Sequence, residues 1–231
     1  MMNNIHSFET QELLIQKLSE KIISDLETAI LKNGKATLLV SGGNTPKPLF
    51  EKLSKIEMSW DKVIVGLCDE RWVNSSHLDS NEQLVKSTLL KNCAKKAGFV
   101  SMYQDNLQIE EAEQKCSAMY QKELFPFDVV ILGMGNDGHT ASLFPYNEKL
   151  KNALDLNNKN LCVWMEPNDA LHKRMSLTRS AILSAQNIYL HFEGEEKQRV
   201  YKKVIEGADI NEMPIASILN QMTKKIEVYY K

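Results

Sequence analysis

This sequence has no long apolar run, no basic excess, no paired cysteines and no internal repeat. No stretch approaches the roughly 18 apolar residues needed to span a bilayer, so no membrane partner is expected. Lysine and arginine total 28 against 30 aspartates and glutamates, a formal net charge of −2. A general nucleic-acid binder would carry a basic excess, so no nucleic-acid partner is expected either. The four cysteines, Cys68, Cys93, Cys116 and Cys162, show no C-x-x-C spacing and no accompanying histidines at zinc spacing. Cys68 and Cys162 sit in apolar runs and read as buried small hydrophobes, which fits a reducing, cytoplasmic compartment. The start, Met1-Met2-Asn3-Asn4-Ile5-His6, has neither the basic lead nor the apolar core of a signal peptide. No linker or low-complexity tract divides the chain, and one continuous domain over residues 1–231 is expected.

What is present is ordinary globular material: 43% hydrophobic and 25% charged residues, in a chain long enough to bury a substantial core. Leu14, Leu18, Ile22, Leu26 and Ile30 recur at four-residue spacing, so residues 10–32 read as an amphipathic helix stopped by Gly34. Residues 36–40 read as a buried strand running into Ser41-Gly42-Gly43-Asn44-Thr45-Pro46, with Thr45 expected to cap a helix that has Pro46 at its first position. A second strand is expected over 62–68, ending in Asp69-Glu70-Arg71-Trp72, and Ser80-Asn81-Glu82-Gln83 has the form of a capping box opening a helix to about residue 91. A helix over 109–123 precedes a strand over 127–132. Further strands are expected at 161–165, 173–178, 187–192 and 226–230, with helices near 179–185, 196–206 and 214–221. Strands alternating with helices imply an α/β sandwich with a mostly parallel central sheet covered on both faces.

Chemistry-bearing residues cluster just after three of these strands. In such sheets, ligands bind outside the carboxyl ends of the strands. Ser41, Gly42, Gly43 and Thr45 can point backbone N–H groups and hydroxyls at an anion beside a helix N-terminus. The P-loop spacing and its lysine are missing. Asp69 and Arg71 stand at the equivalent end of the second strand. The third strand runs into Gly133-Met134-Gly135-Asn136-Asp137-Gly138-His139. That stretch matches G-x-G-x-x-G, yet Pro145 arrives too soon for the long helix a dinucleotide fold requires, and Asp137 would repel a pyrophosphate. The better account is a sharp turn that projects His139 into a crevice. An imidazole, with an unperturbed pKa of about 6.5, exchanges protons near neutral pH. Asp137, two residues earlier, can orient it. Arg174 and Lys197 are candidates for phosphate neutralisation, with Arg179 and Arg199 weaker ones of the same kind. His6, His77, His172 and His191 lack a comparable setting and read as non-catalytic.

With these residues assembled, the sequence resembles the 6-phosphogluconolactonase family. The matching blocks are Ser-Gly-Gly-Asn-Thr-Pro at 41–46, Asp-Glu-Arg-Trp-Val at 69–73, Ser-Asn-Glu at 80–82 and Gly-Met-Gly-Asn-Asp-Gly-His-Thr-Ala-Ser-Leu-Phe-Pro at 133–145. Arg-Met-Ser-Leu-Thr at 174–178 and Gly-Glu-Glu-Lys at 194–197 match two further blocks. The family usually carries a proline-rich lead before the arginine block, where this chain has Pro167-Asn168-Asp169-Ala170-Leu171-His172-Lys173. The resemblance implies a Rossmann-like fold shared with glucosamine-6-phosphate deaminases and ribose-5-phosphate isomerases. The deaminases look similar around the aspartate-glycine-histidine turn. They then place a glutamate where this chain continues Thr140-Ala141-Ser142-Leu143-Phe144-Pro145.

The resemblance implies hydrolysis of 6-phospho-D-glucono-1,5-lactone to 6-phosphogluconate, with no cofactor and no metal. His139 is then the general base, assisted by Asp137. Arg71 or backbone N–H groups of the 133–138 turn stabilise the oxyanion. Ser41, Gly42, Gly43, Thr45, Asp69, Arg174 and Lys197 bind the substrate, and a monomer or weak homo-oligomer is expected. The alternatives are a deaminase or isomerase of the same fold, and a non-catalytic sugar-phosphate sensor. The second is disfavoured because such sensors usually carry a DNA-binding module, for which this chain has no spare length.

Overall fold

The computed structural model describes residues 3–167 and 171–231. In chain order the elements are β1 (Asn4–Ser7), α1 (Gln11–Asn33), β2 (Ala36–Val40), α2 (Lys47–Ser54), β3 (Val63–Leu67), β4 (Asp69–Arg71) and α3 (Asn81–Thr88). There follow β5 (Gly98–Phe99), α4 (Ile109–Glu123), β6 (Val129–Leu132), α5 (Leu150–Leu154), β7 (Cys162–Met165) and β8 (Arg174–Leu177). The chain closes with α6 (Arg179–Ser184), β9 (Asn187–Phe192), α7 (Glu195–Ile205), α8 (Ala216–Leu219) and β10 (Glu227–Tyr230).

Local chemistry accounts for the ends of α1. Thr10 is extended and its side chain accepts the Leu13 N–H at 3.2 Å, while Gly34, at φ 77°, donates its own N–H to Ile30 at 2.8 Å. The periodic face Leu14, Leu18, Ile22 and Leu26 is completely buried. It packs against the sheet at β2, β6 and β10. All five residues of β2 are buried, as expected of a strand covered on both faces.

Seven strands form one sheet in the order β1-β10-β9-β6-β2-β3-β5, and every pairing in it is parallel. The chain builds outward from β2 through β3 to β5, then returns to β6 on the other side of β2 and continues through β9 to β10. The β2–β6 boundary is therefore the point where the winding reverses, the place where a crevice opens in such sheets. No helix among the described residues is long and apolar enough to cross a membrane.

The structure departs from the sequence-based expectations in three places. The segments expected as strands at 161–165 and 173–178 form β7 and β8, but they leave the parallel sheet and pair antiparallel with β4 as a separate three-stranded sheet. Only Cys68 separates β3 from β4, and the Cys68 carbonyl accepts the Leu177 N–H at 2.8 Å. This small sheet is thereby fastened to the carboxyl end of β3. Second, Thr45 does not cap α2. Thr45 and Pro46 form a turn, the helix starts at Lys47, and no side chain among the described residues caps it. Third, β1, the short strands β4 and β5, and α5 were not foreseen. Of the lead before the arginine block, Asn168, Asp169 and Ala170 lie outside the described residues.

Candidate active site

A cleft of about 240 Å³ opens at the β2–β6 boundary. Its walls come from segments that the fold brings together at the carboxyl ends of β2, β3, β6 and β9. Ser41, Gly42, Gly43 and Thr45 line it from β2, Asp69 and Arg71 from β4, His139 from the turn after β6, and Lys197 from the first turn of α7. Eight of the residues singled out in the sequence thus share one cavity. The loop after β2 is tied to β6 by the Ser41 N–H, which donates to Ile131 at 3.0 Å.

The β6 turn shows why its glycines are needed. Gly135 and His139 close the turn through a 2.9 Å backbone bond, and Gly138 takes φ 79°. The Asp137 carboxylate then folds back onto His139. Its Oδ1 accepts the His139 backbone N–H at 3.1 Å and lies 2.6 Å from Nδ1. A methyl group at Gly135 would stand 2.2 Å from His139 Nδ1 and 2.5 Å from Asp137 Oδ1, so only glycine leaves room for the pair. Burial acts to raise the Asp137 pKa, but the bond and charge of His139 outweigh it and leave the carboxyl below its ordinary value. The carboxylate therefore stays ionised and selects the tautomer with hydrogen on Nδ1, which puts the imidazole lone pair on Nε2. Phe144 lies beside the ring, tilted at 48° with centroids 5.2 Å apart. No long helix follows Gly138, and the first helix begins at Leu150, so the dinucleotide reading fails in structure as in sequence.

Arg71 is held from two sides. Its Nη1 donates to Asn81 Oδ1 at 2.7 Å and to the Asp79 carbonyl at 2.9 Å. Asn81 in turn donates to the Asp69 carbonyl at 2.8 Å. Beneath these, buried Glu70 accepts four bonds, from the backbone N–H groups of Arg71, Asn81 and Glu82 and from the Ser80 hydroxyl, at 2.7–3.0 Å. It thus supplies the N-terminus of α3 with acceptors from outside the helix. Ser80 does cap Gln83, as expected, but the reciprocal half of the capping box is not made: the Ser80 N–H donates to the His77 carbonyl at 2.9 Å, and Glu70 serves the Asn81 and Glu82 N–H groups instead. Asp69 Oδ2 accepts the Ser142 hydroxyl at 2.6 Å.

Arg174 does not line the cleft. It pairs with Arg71 across the β4–β8 register, is nearly buried, and donates Nη1 to the His172 carbonyl at 2.7 Å. Burial, then the neighbouring Arg71 charge, pull its pKa below the ordinary arginine value. Lys197 is half-buried. Burial lowers its pKa against the opposing charges of Glu193 and Glu196, so a bound anion would be matched by an under-solvated cation. Arg179 and Arg199 turn elsewhere: the first donates to the Ser217 carbonyl at 3.0 Å and the second pairs with Glu195 on the exposed face of α7.

Two cleft residues escaped the sequence reading. Asn81, hidden in a capping motif, holds Arg71 and lines the cavity. His191, set aside as non-catalytic, lines it as well. Its Nε2 lies 3.2 Å from Glu193, and its buried Nδ1 has no hydrogen-bond partner among the described residues. The available signal was a lone polar ring at the carboxyl end of an otherwise apolar strand. Ser41 Oγ is also buried without a conventional partner among the described residues, beside the Cys68 thiol, which burial pushes well up and keeps neutral.

A parallel sheet whose winding reverses at a cleft, with an anion-type loop facing an aspartate–histidine pair, defines an α/β enzyme architecture for small anionic molecules. The chain belongs to the family described as glucosamine-6-phosphate isomerases/6-phosphogluconolactonase, whose model matches residues 9–227. It is 39% identical over 230 residues to a 6-phosphogluconolactonase of Rhizobium meliloti (strain 1021), covering 100% of this chain and 99% of that one. It is 37% identical over 226 residues to a 6-phosphogluconolactonase of Pseudomonas putida, covering 98% and 92%. Among solved structures, a 6-phosphogluconolactonase from Shewanella baltica OS155 superposes with a TM-score of 0.95 at 42% identity, covering 99% of this chain and 97% of that one.

Proposed function

We propose that this chain, acting as one unit over residues 1–231, hydrolyses 6-phospho-D-glucono-1,5-lactone to 6-phosphogluconate. The observation that carries this reading is His139, which lines the same cleft as the Ser41–Thr45 loop and Lys197 and is held at 2.6 Å by Asp137 from outside the cleft lining. The names of the full-length relatives support it.

In this reading the backbone N–H groups of Gly42 and Gly43, the Ser41 and Thr45 hydroxyls and Lys197 hold the phosphate. Thr45 is available for this because its side chain caps no helix. Arg174 acts from behind Arg71, adding positive potential rather than direct contact. Asp69 accepts from sugar hydroxyls. The anchored phosphate sets the lactone carbonyl at a fixed distance from His139, the positional part of catalysis.

His139 Nε2 takes a proton as water adds to the carbonyl carbon, and the resulting imidazolium is stabilised by Asp137. The oxyanion is met by Arg71 or by N–H groups of the 133–138 turn. When the tetrahedral intermediate collapses, the bond to the ring oxygen breaks and that oxygen receives the proton from Nε2. The carbonyl of a lactone is already electrophilic, so this route involves no metal and no cofactor. The substrate is a small sugar-phosphate lactone, and the enzyme works as a monomer or weak homo-oligomer.

The test is hydrolysis of freshly generated lactone, corrected for its spontaneous opening, by wild type and His139→Ala side by side. Wild type is expected to accelerate opening, and His139→Ala to lose that acceleration while still binding 6-phosphogluconate. A folded wild type with no effect on the lactone, or one that instead releases ammonia from glucosamine 6-phosphate, would overturn the reading.

A further inference from the structure

Two histidines that this chemistry does not use stand together outside the cleft. His77 lies in the turn before α3, and His172 lies on the segment entering β8. Asp79 stands between them, with Oδ2 3.1 Å from His172 Nε2 and 3.8 Å from His77 Nδ1. The two rings meet edge-on with centroids 5.5 Å apart. One donor atom from each of the three residues lies within 4.8 Å of the others. His77 and Asp79 are exposed and His172 is half-buried, so an ion can enter from solvent.

We propose that His77, Asp79 and His172 form a binding site for a divalent first-row transition ion, zinc foremost, that clamps the turn before α3 to the segment entering β8.

The donor set points to that class of ion. Two imidazoles and one carboxylate suit zinc, cobalt, nickel or copper, whereas calcium and magnesium prefer oxygen throughout. Around a tetrahedral ion with bonds of about 2.1 Å, neighbouring ligand atoms sit roughly 3.4 Å apart. The Asp79–His172 distance is already of that order, and since no donor pair exceeds 4.8 Å, closing onto the ion asks the exposed His77 ring to move by about 1.4 Å at most. His77 Nδ1 now accepts the Asp79 N–H at 3.1 Å, and the ion would take the place of that bond. Water from the exposed side fills the fourth position.

The clamp also has a mechanical consequence, and this part alone rests on the proposed function. The Asp79 carbonyl holds Arg71 and the His172 carbonyl holds Arg174, at 2.9 and 2.7 Å. An ion bridging the two side chains therefore steadies the two backbone segments on which both guanidiniums are anchored. It touches no reacting atom and is separate from the His139 chemistry.

Calorimetric titration of the full chain with zinc chloride tests the site without any assay of activity. One ion per chain is expected for wild type and for His139→Ala. About tenfold or greater weakening is expected for His77→Asn and for His172→Asn, since each loses a ligand. Zinc is also expected to raise the melting temperature of wild type and not that of His77→Asn, an exposed substitution with little reason to misfold. Unchanged binding in both asparagine variants, loss of binding in His139→Ala, or no saturable binding by wild type would each overturn the proposal.

Discussion

At Gly42 an added methyl group would stand 1.8 Å from Asn81 Oδ1, the same oxygen that accepts from Arg71 Nη1. A single methyl there displaces Asn81 and frees Arg71 with it. Gly42→Ala is therefore expected to lower turnover without unfolding the protein, measured as a fall in kcat/KM beside an unchanged circular dichroism spectrum. Gly135→Ala acts on the other wall, where the new methyl collides with both members of the Asp137–His139 pair. It should approach the loss of His139→Ala, about 10²- to 10⁴-fold in kcat, the range typical of removing a general base. Asp137→Asn separates orientation from bulk. An amide can donate to Nδ1 and so favour the tautomer with hydrogen on Nε2, the wrong one for a base. Its expected signature is a drop in kcat with KM nearly unchanged; a rise in KM alone would make Asp137 a substrate contact instead.

Glu70 links a strand to a helix, and its effect is on an element rather than on a site. Burial pushes its pKa up to about 7, while the Asn81, Glu82, Arg71 and Ser80 donors pull the other way. Because the folded-state value lies above the unfolded one, the folded protein holds a proton that the unfolded chain has released between the ordinary carboxyl range and neutrality. Stability should therefore fall as pH rises from about 4.5 to about 7, by at most roughly 3 kcal/mol, and level off above. Denaturant titrations across that window check the slope. Glu70→Gln should flatten it and lower stability at its acidic end, since the amide nitrogen cannot accept the bonds that the second carboxyl oxygen takes. The Ser80 cap was legible because its partner is three residues away, whereas Glu70 reaches α3 from ten or more residues upstream. The same contrast runs through the fold. Helices α1 and α4 and strands β2, β3, β6, β9 and β10 of the parallel sheet announce themselves by periodicity or apolar runs. β1 pairs with β10 across nearly the whole chain, and two-residue β5 has no pattern to read. The antiparallel pairing of β7 and β8 depends on β4, whose three charged residues look like a turn until the small sheet is seen.

For the molecule as a whole, the cleft exists only when β2, β4, β6 and the start of α7 are all in place. That is why candidate residues far apart in sequence could be named from strand ends, yet their division of labour could not. Burial of Arg174 behind Arg71, and the placing of buried His191 in the cavity wall, are properties of packing between elements. It also means that any anion seated in the cleft stabilises the entire fold, because the unfolded chain has no such site. Binding to the folded state alone contributes about 2.7 kcal/mol at a hundredfold excess over Kd, or roughly 5–10 °C for a chain of this size. Wild type melted with 6-phosphogluconate is expected to show a rise of that order. Lys197→Ala, which removes the under-solvated cation from the α7 side, should need about tenfold more ligand for the same rise, the equivalent of about 1.4 kcal/mol. His139→Ala should keep the wild-type response, since its imidazole serves the reaction and not the anchor. Equal responses from wild type and Lys197→Ala would remove Lys197 from the anion site and shift that role to the Ser41–Thr45 loop and Arg71.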